Sequence, residues 1–151
     1  MNLFVLLSTG LGAGYAPLVP GTVGTVEGVL FYLVLRKIFP HPLSYVLFLV
    51  VFSGVGVWIS GRCENYFKKK DSPLIVIDEI GGFLVTMFAF PLSFRFILLG
   101  FILFRVFDIA KPFRIERIQK LPSGWGIMGD DIAAGVLANI MLHMIKIMLG
   151  W

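Results

Sequence analysis

The run Leu43-Ser44-Tyr45-Val46-Leu47-Phe48-Leu49-Val50-Val51-Phe52-Ser53-Gly54-Val55-Gly56-Val57-Trp58-Ile59-Ser60-Gly61 contains 19 residues and no charged side chain. At about 1.5 Å of rise per residue, a helix of that length nearly crosses the roughly 30 Å hydrocarbon core of a bilayer. The whole chain of 151 residues agrees with this reading: 58% is hydrophobic, 15% is charged, and the mean hydropathy is +0.91. Soluble domains carry about 45–50% apolar and about 25% charged residues. The single Cys63 excludes a disulfide scaffold, and the composition excludes a disordered chain. The net charge of +4 is modest. In a membrane protein its placement matters more than its sum, so it is no sign of a nucleic-acid partner.

Four further segments read as helices around this span. They run from about Val23 to Phe39, carrying Glu27; from about Leu74 to Leu92, with Asp78 and Glu79 one to two turns in; from about Phe96 to Ala110; and from about Asp131 to Trp151. The apolar run Leu3 to Leu7 is too short to span, and no Lys or Arg precedes Arg36 to form the basic start of a signal peptide. Between Ser8 and Thr22 glycine and proline are dense enough to oppose a regular helix. No repeat or low-complexity linker divides the chain. Residues 1–151 therefore read as one all-α, membrane-embedded domain, a bundle of about four to five transmembrane helices with a Gly/Pro-rich N-terminal loop or re-entrant segment.

Basic residues orient the bundle. Arg62, Lys68, Lys69 and Lys70 follow the second helix, and Lys111, Arg114, Arg117 and Lys120 follow the fourth, giving eight on one side. Arg36, Lys37 and Arg95 make three on the other. The richer side is expected in the cytoplasm. That side also receives the Gly/Pro loop, Asp78 with Glu79, Asp108, and Asp130 with Asp131. Carboxylates from three distant segments thus converge on one interface.

An ionisable residue within a membrane helix costs at least about 2.5–3.5 kcal/mol at its centre and marks function by default. The bland alternatives are pairing of Asp78 and Glu79 with interfacial lysines and helix capping by Asp130 or Asp131. Pairing leaves the adjacent Gly81 and Gly82 unexplained, and one acid suffices for a cap. Carboxylates without clustered His or Cys form a hard-oxygen environment suited to Mg²⁺. Arg105 and Lys111, with backbone N–H groups of the Gly/Pro loop such as those at Gly21 and Thr22, are candidates to bind phosphate oxygens. Other phosphatase chemistries lack their residues. Lys69, not Arg, lies six positions after Cys63; His41 and His143 fall on opposite sides of the expected membrane; and no Ser or Thr nucleophile elbow is present.

Four blocks carry a family likeness. They are Gly10-Leu11-Gly12 with Pro17 and Pro20-Gly21-Thr22-Val23-Gly24-Thr25; Ile75 to Gly82; Phe104 to Pro112; and Gly124-Trp125-Gly126-Ile127-Met128-Gly129-Asp130-Asp131 running on to Gly135. In order and spacing the chain resembles bacterial phosphatidylglycerophosphatase A. It departs from that pattern at Arg114, where the family has a second proline, and at Ser123-Gly124, where it tends to Gly-Gly. The resemblance implies an Mg²⁺-dependent enzyme of the bacterial inner membrane, its site facing the cytoplasm, that hydrolyses phosphatidylglycerophosphate to phosphatidylglycerol and phosphate. On this reading Asp78, Glu79, Asp108, Asp130 and Asp131 supply metal ligands. Asp78, Glu79, Asp108 and Asp131 are the catalytic candidates, with Glu79 or Asp131 as base, and Arg105, Lys111, Gly21 and Thr22 hold the substrate phosphate. The alternative from another class is a small ion or proton transporter, for which Asn139 and His143 are the available polar extension. A CDP-alcohol transferase would need an Asp-Gly-Ala-Arg signature that the sequence does not contain.

Overall fold

Proline sets where two of the long helices begin. Pro20 opens α2 (Pro20–Ile38) and Pro42 opens α3 (Pro42–Phe67), each at a position where its missing N–H costs nothing. A computed structural model describes residues 2–70 and 72–151. Ahead of α2 lie the short α1 (Leu3–Ser8) and a 3-10 segment, Gly10–Tyr15, kinked where Leu11 and Gly12 take positive φ. The Gly/Pro stretch from Ser8 to Thr22 therefore holds one short 3-10 segment, and the end of α1 before it is tied to the residue preceding α4 by a backbone bond from the Val76 N–H to the Ser8 carbonyl (2.8 Å). After α3 come α4 (Ile77–Thr86), α5 (Phe94–Ala110), a second 3-10 segment over Pro112–Lys120, and α6 (Gly124–Met148). Among the described residues there is no strand, and the fold is all-helical.

Two of these helices, α3 and α6, are long and apolar enough to cross a membrane. Large apolar side chains also stand on the outside of the bundle: Leu47, Val50 and Val51 on α3, Leu30 and Val34 on α2, and Met144 and Ile147 on α6. A surface of that kind faces lipid or a partner rather than water.

The expected helix from Leu74 to Leu92 is corrected to ten residues, Ile77–Thr86. It is the core of the bundle, with Phe83, Leu84 and Thr86 fully buried. Its end is fixed by side chains from elsewhere. The Tyr45 hydroxyl donates to the Leu84 carbonyl (2.9 Å) and the Tyr32 hydroxyl to the Phe90 carbonyl (2.7 Å). The Asn139 amide donates to the carbonyls of Thr86 and Phe88 (2.8 Å each). Carbonyls left over at a helix end are costly without water, and here α2, α3 and α6 satisfy them. Hydropathy alone does not register such partners.

The expected start of the last helix at Asp131 is likewise corrected, to Gly124. Its glycines, which suggest a loop, instead allow close helix contact: a Cβ on Gly124 would collide with the Val57 carbonyl of α3. Asp130 and Asp131 consequently lie two turns inside α6, at 3% and 4% exposure, rather than capping its end. Ser123, just before α6, takes φ 56° and ψ −149°, a region that essentially only glycine occupies without strain. Ser123→Gly is expected to raise stability by about 1 kcal/mol, read as a higher unfolding midpoint in detergent micelles with activity unchanged.

Glycines also set how the elements meet α4. A Cβ at Gly24 would press on Val76 and one at Gly28 on Ile80 and Phe83, so α2 runs alongside α4 in register. A Cβ at Gly82 would lie 2.7 Å from the Asp131 carbonyl, and one at Gly135 would strike the Gly82 carbonyl. Small residues bring the two backbones together, as in packed membrane helices, and that approach carries Asp131 to the first turn of α4.

Candidate active site

Ile77 opens α4, so Asp78 and Glu79 occupy its first turn, where the helix dipole favours negative charge. Asp78 is 6% exposed. Asp131 reaches the same point from α6, and ligand oxygens of Asp78, Glu79 and Asp131 lie within 4.8 Å of one another. One oxygen on each, Asp78 Oδ1, Glu79 Oε2 and Asp131 Oδ2, is buried without a hydrogen-bond partner. A buried polar atom normally finds a partner, and an orphaned one calls for an explanation. Three clustered carboxylates, each with one unsatisfied oxygen, leave a small, all-oxygen site. Hard divalent cations such as Mg²⁺ take oxygen donors of this kind.

The other two expected ligands stand apart from this trio, each tied to a cation. Asp108 Oδ2 accepts from Arg105 (2.7 Å), and its Oδ1 lies 3.5 Å from the Lys111 ammonium. Lys111 also donates to Asp130 Oδ2. A contact across the turn between α5 and α6, combining Lys111 with Asp130, is invisible in local sequence spacing. Burial works against the charge on Lys111; the hydrogen bond to Asp130 and the fields of Asp130, Asp131 and Asp108 outweigh it and hold the ammonium pKa above the ordinary lysine range. Lys111 therefore stays cationic throughout the neutral and moderately alkaline range.

Arg105 links this network to the trio. A Cβ on Gly21 would collide with Glu79 Oε1 and approach Arg105 Nη1 at 3.2 Å. Gly21, in the first turn of α2, thus borders both the carboxylates and the guanidinium, with the half-buried Thr22 next to it. The Thr25 hydroxyl, donating to the Gly21 carbonyl at 2.8 Å, steadies that turn.

The sequence profile of the family described as Phosphatidylglycerophosphatase A matches residues 6–146. The chain belongs to the phosphatidylglycerophosphatase A family. The phosphatidylglycerophosphatase A of Escherichia coli is 34% identical over 146 residues, covering 95% of this chain and 84% of its own. That of Haemophilus influenzae is 33% identical over 148 residues, covering 97% and 90%. A Bacteroides thetaiotaomicron protein named as a candidate phosphatidylinositol-3-phosphatase is 30% identical over 152 residues, covering 97% and 95%. No solved structure matches the chain. The match from residue 6 to 146 takes in the N-terminal turns, both ends of the trio and the Arg105–Lys111 network.

One acid had no role in the sequence reading. Glu27 lies on α2 against Gly10, whose missing Cβ leaves the space its Oε2 fills, and that oxygen too is buried without a partner. Its sequence signal was a lone carboxylate in the apolar stretch of α2 that precedes Arg36.

Proposed function

We propose that the protein removes the terminal phosphate of phosphatidylglycerophosphate, giving phosphatidylglycerol and inorganic phosphate, with Mg²⁺ at the Asp78–Glu79–Asp131 trio. The observation that carries this reading is the trio itself: three oxygen donors within 4.8 Å, each with an orphaned atom, beside a cationic pair suited to phosphate. The relatives support the substrate class, since all three are named for phosphatases acting on a phosphorylated lipid headgroup.

Bound there, a divalent ion would polarise the phosphoryl group and favour a nucleophilic hydroxide at neutral pH. The chain's own groups do the rest. Arg105 and Lys111 hold non-bridging phosphate oxygens and offset the charge that develops on them. Asp108 and Asp130 fix those two cations, by the contacts at 2.7 Å and 3.5 Å and by the Lys111–Asp130 hydrogen bond. Gly21, lacking a Cβ, lets Glu79 Oε1 and Arg105 Nη1 both pack against the first turn of α2. Glu79 or Asp131 accepts the proton of the attacking water, a step in which a positioned base contributes about 10²–10⁴-fold.

In this reading α2, α3, α5 and α6 cross the bacterial inner membrane, and α4 with the turns after it completes a fifth passage. The excess of basic residues after α3 and α5 supports a cytoplasmic position for that end of the bundle and the trio near it. A transporter pathway finds no support. Asn139 is engaged with the carbonyls of Thr86 and Phe88, and His143 Nδ1 lies 3.0 Å from the Asn139 carbonyl and packs on Phe90.

The test is phosphate release by the purified protein in mixed micelles of detergent and phosphatidylglycerophosphate, with Mg²⁺ or with a chelator. Release is expected only with the metal. Phosphatidylinositol 3-phosphate in the same micelles serves as the competing substrate and is expected to be hydrolysed more slowly. Failure to release phosphate from either lipid overturns the proposal.

A further inference from the structure

The last turns of α3 and the short α1 enclose a pocket of about 390 Å³ that shares no residue with the trio or with the Arg105–Lys111 network. Arg62, Cys63, Asn65 and Tyr66 line it from α3, and Asn2, Phe4 and Val5 from the side of α1. Arg62, Asn65 and Tyr66 are spaced i, i+3 and i+4, so they share one face of the helix. The Arg62 guanidinium lies over Trp58, 5.7 Å from the ring centroid, and Phe4 meets the same ring edge-on at 5.1 Å. A guanidinium seated on a ring keeps N–H donors for other partners, and among the described residues no carboxylate pairs with Arg62. The Asn2 side-chain oxygen accepts the Phe4 N–H (3.4 Å), which leaves its NH₂ group as a donor. The lining thus offers N–H and O–H donors, one positive charge and no carboxylate. Its chemistry suits an anion.

The surroundings say which anion. Toward the middle of α3 the same face continues as Trp58, Val55 and Val51, three or four residues apart and all exposed. Past the pocket, the exposed Lys68, Lys69 and Lys70 follow the end of α3. With Arg62 they make four cations at one end of a helix apolar enough to cross a membrane. Tryptophan and tyrosine collect where such a helix leaves the hydrocarbon, and basic clusters there attract anionic lipid. An anion held at Arg62 has apolar side chains on one side and cations on the other, which suits a lipid phosphate rather than one free in solution. The other hollows lack this combination. The cavity of about 190 Å³ between α2, α3 and α4 is lined by Glu27 among apolar side chains, and a carboxylate repels an anion. The depression on α5 reaches Arg105, which Asp108 already engages at 2.7 Å. The grooves between α3 and α6 and between α2 and α5 hold no charged residue.

We propose that the α1–α3 pocket binds the phosphodiester of an anionic phospholipid other than the substrate, with Arg62 and Asn65 as its donors and its acyl chains against Trp58, Val55 and Val51. The headgroup fastens α1 to α3; at six residues α1 is too short to hold as a helix by itself. This rests on the membrane placement proposed above and not on the phosphatase reaction.

The experiment follows the unfolding midpoint of the full chain in micelles of detergent and dioleoyl phosphatidylcholine as dioleoyl phosphatidylmethanol, an anionic phosphodiester lipid with a bare methyl cap, replaces the phosphatidylcholine. The midpoint is expected to rise with the anionic lipid and to stay level with added phosphatidylcholine or with inorganic phosphate in solution. Arg62→Gln and Asn65→Leu each remove a donor and are expected to need about tenfold more anionic lipid for half the rise, the effect of one lost hydrogen bond to a charged group. Lys69→Gln removes a cation outside the pocket and is expected to need less than about twofold more. Midpoints in phosphatidylcholine alone establish that each variant is folded, and either pocket variant suffices for the comparison. No rise in the unmodified protein, or a rise that neither pocket variant weakens, overturns the site. A loss in Lys69→Gln as large as in Arg62→Gln replaces the pocket with diffuse attraction and overturns it too. An equal rise with inorganic phosphate overturns the lipid as occupant. No turnover enters the measurement, so its outcome is separate from that of the phosphate-release assay.

Discussion

Asp131→Asn is expected to lower phosphate release by about 10²–10⁴-fold while leaving the protein as stable as before, or more stable, in the presence of a chelator. The reason lies in the trio. Asp131 Oδ2 is buried without a partner and shares its surroundings with Asp78 and Glu79. Crowded carboxylates, each with an unsatisfied oxygen, oppose folding, because each loses hydration and gains like-charge neighbours. Asparagine keeps the shape and removes one of the charges. A cation that binds only the folded state stabilises it by RT ln(1 + [L]/Kd), about 2.7 kcal/mol at a hundredfold excess over Kd. The unmodified protein should therefore show an Mg²⁺-dependent rise in unfolding midpoint, and Asp131→Asn should lose it. Asp108→Asn is the contrasting variant. Its carboxylate contacts Arg105 and Lys111, so its loss should lower stability in chelator rather than raise it. If Asp131→Asn keeps both full activity and the Mg²⁺-dependent shift, Asp131 is not part of a metal site.

How far the sequence alone reaches depends on whether the deciding partner is near in the chain. The long apolar helix α3 was legible because one uninterrupted run, Leu43 to Gly61, carries the whole signal. The meeting of Asp78, Glu79 and Asp131 was legible from the sidedness of the basic loops, which put three distant segments at one interface. The length of α4 was not, because its end is set by Tyr32, Tyr45 and Asn139, side chains 39 to 58 positions from the carbonyls they satisfy. The start of α6 was misread because glycine has two uses: in an isolated segment it costs about 1 kcal/mol of helix stability, whereas at Gly124 it lets α6 lie against the backbone of α3. The separation of five acids into a trio with one unsatisfied oxygen each and two cation-bound members rests on the Lys111–Asp130 contact, which only the folded chain reveals.

That dual use of glycine yields the second large effect. Gly135→Ala is expected to cost about 1–3 kcal/mol of stability, the usual range for overpacking, and to reduce activity about 10²-fold through misplacement of Asp131. A Cβ at this position would strike the Gly82 carbonyl, and backbone cannot rotate aside as a flexible side chain can. The relief available is separation of α6 from α4, the two helices that carry the trio. Gly54→Ala provides the comparison. Its Cβ would have no neighbour within 4 Å, so the same methyl group meets only open space. There the gain in helix propensity, up to about 1 kcal/mol, is expected to appear as unchanged or slightly higher stability with full activity. Unfolding midpoints in detergent and kcat/KM on micellar substrate distinguish the two. Were Gly135→Ala to match Gly54→Ala in both measurements, close approach of α4 and α6 would not be what assembles the carboxylates.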